Sequence, residues 1–89
     1  MHPLRSILNR MTWDRRERVE DYVVYFTHRG IPGDTRMISA SLITKVGRSW
    51  FMYAAAESDE TLIPFHRVRR IVNIKTGKAV WTKRSRESD

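Results

Sequence analysis

Only one stretch of this chain carries apolar residues at helical spacing. Leu4, Ile7, Leu8 and Met11 form a single stripe, and Pro3 stands where a first helical turn accepts a proline. A helix is therefore expected over about 3–12. Nearly everything after it reads as strand or turn.

"DYVVYFTHR" is rich in β-branched and aromatic residues and predicts a strand over about 21–29. "RGIPGD" is a loop, and "TRMISA" pairs back on the first strand as a hairpin. "SLITKVG" fits one helical turn, with Ser39 or Ser41 as N-cap and Gly47 as C-cap. "RSWFMYAAA" is apolar on both faces and predicts a central strand, and "ESDE" is an acidic loop. A fourth strand is expected within 65–74, with Pro64 as the breaker before it. "KTGK" is a turn in which Gly77 takes a positive φ, and "AVWTKR" is the fifth strand. The expected fold is α+β: an N-terminal helix packed on a mostly antiparallel sheet of four to five strands. It forms one domain over 3–84, followed by a polar tail at 85–89.

"IPFHRVRRIV" is the segment whose pattern conflicts with a plain strand. Strict alternation puts Val68, Arg70, Val72 and Ile74 on one face, and Arg67, Arg69, Ile71, Asn73 and Lys75 on the other. Each face then carries misplaced residues, so a bulge or an irregular start near Pro64 is expected.

Charge is where composition matters. The formal net charge is +7. Residues 61–89 hold eight Lys/Arg against two Asp/Glu, and arginine outnumbers lysine 13 to 4. The arginine fork suits phosphate and stacks on bases, so nucleic acid is the expected partner. The plainer alternatives are a solvated basic surface or ion pairing as an adaptation to heat. With no cysteine, disulfides and thiolate zinc sites are excluded. The N-terminus lacks the apolar core of a signal peptide. The longest apolar run, Trp50 to Ala56, falls short of the roughly 20 residues that span a bilayer. A soluble, cytoplasmic protein is expected, with no membrane partner.

The words "LNRMTWD", "HRGIPGD", "IPFHRVRRI" and "VWTKR", in this order, resemble the RNA cyclic-group end recognition domain family. This is a small, mostly archaeal family, once classed as a domain of unknown function. The resemblance runs from about Leu4 to Arg84. It implies binding of RNA ends that bear a 2′,3′-cyclic phosphate or a related terminal phosphate, with no enzymatic activity for the domain alone.

Candidate site residues follow from the residues and the resemblance together. His66 and Arg67 supply the donors that a singly charged cyclic phosphodiester needs. Arg29, with Gly30 and Gly33, belongs to a glycine-flanked loop that can turn backbone N–H groups toward an anion. His28 stands beside them, divided between the site and a half-buried sheet position. Arg69, favoured over Arg70, and Lys83 and Arg84 continue the basic face along the RNA chain. Trp13 and Trp81 are candidates for base stacking, while Trp50, Met11, Met37 and Met52 are read as packing. The competing explanations are ordinary ones: a histidine satisfied at a strand entrance, glycines that serve turn geometry, and arginines solvated or paired with Glu57, Asp59 or Glu60.

The expected partners are RNA with a single-stranded 3′ end and RNA-processing proteins. No cofactor and no metal are expected. An edge strand is free to pair across a two-fold axis, but nothing in the sequence requires it. Binding is expected ahead of catalysis. The alternatives are a metal-independent RNA phosphodiesterase using His28 and His66, an adaptor docking through an exposed strand, or nonspecific coating of duplex DNA.

Overall fold

The computed structural model describes residues 3–14, 16, 18–27, 33–55 and 59–83. The expected helix is α1, Pro3–Trp13, and it buries Leu4, Leu8 and Met11. Seven strands follow: β1 (Tyr22–Thr27), β2 (Thr35–Ser39), β3 (Ile43–Val46), β4 (Trp50–Tyr53), β5 (Thr61–Pro64), β6 (Val68–Asn73) and β7 (Lys78–Thr82). They form two antiparallel sheets, one in the order β2-β1-β6-β7 and one in the order β3-β4-β5. The α+β class and the four-stranded sheet match the sequence reading. The three-stranded sheet is additional.

That second sheet corrects two expectations. "SLITKVG" is helical only over Ala40–Leu42, a 3₁₀ turn whose N-cap is Ser39, accepting from the Ser41 N–H at 3.2 Å. Ile43–Val46 is strand, as its three β-branched residues, Ile43, Thr44 and Val46, allow. Gly47 is no C-cap. It turns β3 into β4, donating its N–H to the Trp50 carbonyl at 2.8 Å. The Trp50 ring lies so close over it that an added Cβ would collide with the ring carbons. Trp50 is thus half-buried on this turn rather than central to the core. Pro64 does not break a strand but ends one. It lies opposite Trp50 on β5, at the edge of the three-stranded sheet, where a missing N–H leaves no ladder bond unmade. β4 is the middle strand of this second sheet, whereas the sequence pattern leads one to expect it at the centre of a single sheet.

The chain crosses between the sheets twice, at Ala40–Leu42 and at Phe65–Arg67, each a three-residue 3₁₀ turn. Ala40 and Phe65 are both buried there and join α1, Val24, Phe26, Phe51, Ile63, Val68 and Ile71 in one core. Gly77 has the expected positive φ, 77°, in the turn before β7.

The segment from Phe65 onward follows a spacing of three. Phe65, Val68 and Ile71 are all buried. A 3₁₀ turn has three residues per turn, so Phe65 and Val68 point the same way. Then Phe26 pairs with Val68 and Tyr25 with Arg70, leaving Arg69 bulged out of the ladder. The bulge skips one step of the alternation and returns Ile71 to the inner face, opposite Val24. The expected bulge is therefore present, but strict alternation misplaces its neighbours. Ile71 is in the core rather than on the basic face, and Ile74 is 59% exposed in the turn.

Candidate nucleic-acid interface

The corner at Phe65–Arg67 sends Phe65 inward and leaves His66 exposed and Arg67 half-buried. Arg67 reaches a cavity of about 370 Å³. One wall comes from the four-stranded sheet, through Phe26 and Arg36. The facing wall comes from the three-stranded sheet, through Tyr53, Thr61, Leu62 and Ile63. Arg36 lies opposite Phe26 in the β1–β2 ladder, which is why its side chain shares that face.

The Arg67 Nε is shielded from solvent and has no hydrogen-bond partner. Among the described residues, Arg5 Nε is the other such atom, and it does not line the cavity. Leaving a buried donor unmade costs about 1–3 kcal/mol, more when the group is charged. The backbone of Arg67 is tethered, since the Thr27 hydroxyl donates to its carbonyl at 3.2 Å. The Arg67 guanidinium thus belongs to a tethered residue, lines the cavity and has one N–H already dehydrated.

Lys83 closes the corner from the other side. Its Nζ donates to the His66 carbonyl at 2.6 Å and its N–H to the Arg69 carbonyl at 2.8 Å. His66, Arg67, Arg69 and Lys83 thus gather at one end of the four-stranded sheet. No ion pair joins Arg67, Arg69 or Arg70 to a described acidic residue. Arg16 pairs with Asp14, and Arg18 with Glu20. The Arg16 hydrogen bond beside Asp14 holds its carboxyl below the usual carboxylate range.

The other candidates divide. Gly33 has φ of 83° with nothing within 4 Å of an added Cβ, so its own backbone angle, not a close approach, calls for glycine. Trp81 is half-buried against the core, opposite Ile71. Trp13 ends α1 and is 71% exposed. His28, Arg29, Gly30, Arg84, Glu57 and the 85–89 tail lie outside the described residues.

A family profile described as "MJ1316 RNA cyclic group end recognition domain" matches residues 1–83. This chain belongs to that family. Among curated relatives, a UPF0248 protein of Pyrococcus furiosus is 37% identical over 83 residues, covering 93% of this chain and 90% of its own. A UPF0248 protein of Methanococcus vannielii is 35% identical over 80 residues, covering 90% of each chain. No solved structure matches this chain. The match takes in "LNRMTWD", "HRGIPGD" and "IPFHRVRRI" whole and "VWTKR" as far as Lys83. Within this RNA cyclic group end recognition domain, the corner at Phe65–Arg67 is the middle of "IPFHRVRRI".

Sequence reasoning missed several residues of the cavity. Arg36 is the only cation between Ile31 and Thr44, and nothing in its neighbourhood marks it. Thr61, Leu62 and Ile63 were missed because β5 was missed. Tyr53 was absorbed into an apolar run. No helix among the described residues is long and apolar enough to cross a membrane.

Proposed function

We propose that this protein binds RNA 3′ ends that carry a terminal phosphate, the 2′,3′-cyclic phosphate foremost, and that the terminal nucleotide enters the cavity between the two sheets. The observation that carries this reading is the place of Arg67 in the lining of that cavity, with its Nε shielded from solvent and unpartnered. A cyclic phosphodiester has one negative charge and acceptor oxygens only, so donors suffice to hold it. Arg67 and Arg36 supply them, and Phe26 and Leu62 supply apolar surface for the sugar or base. The family description supports the same ligand. The cavity is at the small end of ligand sites, which suits one nucleotide at a chain end rather than a continuous strand. His66, Lys83 and Arg69, and Arg29 and Arg84 beyond the described residues, would then serve the phosphates that follow.

The test is fluorescence anisotropy with one short RNA in three versions: cyclic phosphate, open monophosphate and free hydroxyl at the 3′ end. Tightest binding to the cyclic end is expected. Arg67→Ala should reduce that preference by about tenfold or more, the worth of a charge-assisted hydrogen bond in a dehydrated site. Equal affinity of the wild-type protein for all three ends overturns the reading.

A further inference from the structure

The four-stranded sheet has a second side, whose residues are half-buried or exposed. On β1, Tyr22, Val24 and Phe26 are buried, and Val23, Tyr25 and Thr27 face the other way, half-buried. The register sets one row across the sheet on that outer side. Met37 of β2 pairs with Tyr25 of β1, Tyr25 with Arg70 of β6, and Arg70 with Thr82 of β7. At a strand spacing of roughly 4.8 Å the row is about 14 Å long. Met37, which its sequence context had suggested was a packing residue, is 64% exposed there.

Arg70 lies over the Tyr25 ring with Cζ 4.5 Å from the ring centroid. It is exposed and makes no described ion pair. An arginine held against an aromatic ring has lost much of its rotational freedom, and its planar group remains open on the far side. A planar cation with apolar neighbours, Val23, Val72 and Met37, has the chemistry that stacks an unpaired base.

We propose that Tyr25 and Arg70 form a two-layer stacking platform for a base upstream of the RNA end. The inference rests on the RNA-end reading above. The occupant is single-stranded RNA, for three reasons. The platform is cationic, and no acidic residue interrupts the row. Its outward layer is a flat guanidinium rather than a greasy surface alone. It is also continuous with the cavity: Thr27 is two residues along β1 from Tyr25 on the same side, roughly 7 Å away, and its hydroxyl holds the Arg67 carbonyl. A chain whose last nucleotide sits at Arg67 passes over the end of the sheet and meets Tyr25–Arg70 next. Arg69, bulged between the two, is placed to accompany it.

The deciding substitution is Arg70→Lys, which keeps the charge and removes the plane. Two eight-nucleotide RNAs are used, identical except for a cyclic phosphate or a hydroxyl at the 3′ end. Arg70→Lys and Tyr25→Leu should each weaken both RNAs by about fivefold or more, while Tyr25→Phe should not. The ratio between the two ends and the salt dependence should stay as in the wild-type protein. Arg67→Ala should do the reverse, lowering the ratio. Unchanged affinity in Arg70→Lys overturns the platform and leaves Arg70 a plain charge, or the row a protein-docking face. A loss confined to the cyclic end also overturns it, because Arg70 would then be acting through the cavity. Wild-type protein that does not distinguish the ends overturns the end reading, and the platform is then judged on the hydroxyl RNA alone.

Discussion

Arg67 and Arg70 are three residues apart and live in opposite circumstances. Arg67 ends a 3₁₀ turn, lines a cavity between sheets and has its Nε buried without a partner. Arg70 follows a bulge and lies in the open against an aromatic ring. Neither difference comes from the residue type. It comes from two backbone irregularities, a turn and an extra residue, that aim two like side chains at different sides of one sheet. A guanidinium short of a partner is poised to bind an anion. One already supported on a ring is poised to present a plane.

The comparison can be broken most severely at Ile71. If the bulge sets the phase, Ile71 faces the core, and Ile71→Arg buries a charge with no partner. A loss of about 4 kcal/mol or more is expected, enough to abolish a cooperative thermal transition in a chain of this size. Melting like the wild-type protein would show that Ile71 faces out and that the two arginines share a side.

A second variant separates function from stability at the cavity. Arg67→Met keeps the length of the side chain and removes its dehydrated N–H. The free protein is expected to melt at the same temperature or a few degrees higher, while its preference for a phosphorylated end falls at least tenfold. A variant that is less stable and binds equally well would make Arg67 a structural residue.

The smallest effect concerns Gly33, set against Gly77. Both hold φ near 80° with open space around them. Alanine at either position should cost about 1 kcal/mol of stability from backbone strain alone. If Gly33 serves only its turn, Gly33→Ala leaves RNA affinity alone, as Gly77→Ala should. An added loss of affinity specific to Gly33 would tie the β1–β2 loop to the ligand.

Much of this architecture is legible in the residues. The stripe Leu4, Ile7, Leu8, Met11 encodes the helix, the β-branched runs encode β1 and its partner β2, and the conflict inside "FHRVRRIV" announces the bulge. Two things are not legible. Strands of four residues, such as Ile43–Val46 and Thr61–Pro64, are too short to show alternation, and a terminal proline disguises the second. The cavity is also hidden, because its cations come from separate strands and meet only through register. Arg36 stands in the one third of the chain whose net charge is negative, so a charge count steers away from it. Tyr25–Arg70 is hidden for the same reason: a cross-strand pair has no sequence spacing of its own.

The walls of the cavity belong to different sheets, and the chain between them turns only at Ala40–Leu42 and Phe65–Arg67. A molecule lodged there touches both halves at once and acts as a keystone. Thermal melting of the occupied protein should then rise with ligand concentration for the whole molecule rather than for one sheet, as linkage requires of anything that binds only the assembled fold. The same lodging makes end recognition a report on integrity: a chain that has not closed its second sheet has no cavity to offer.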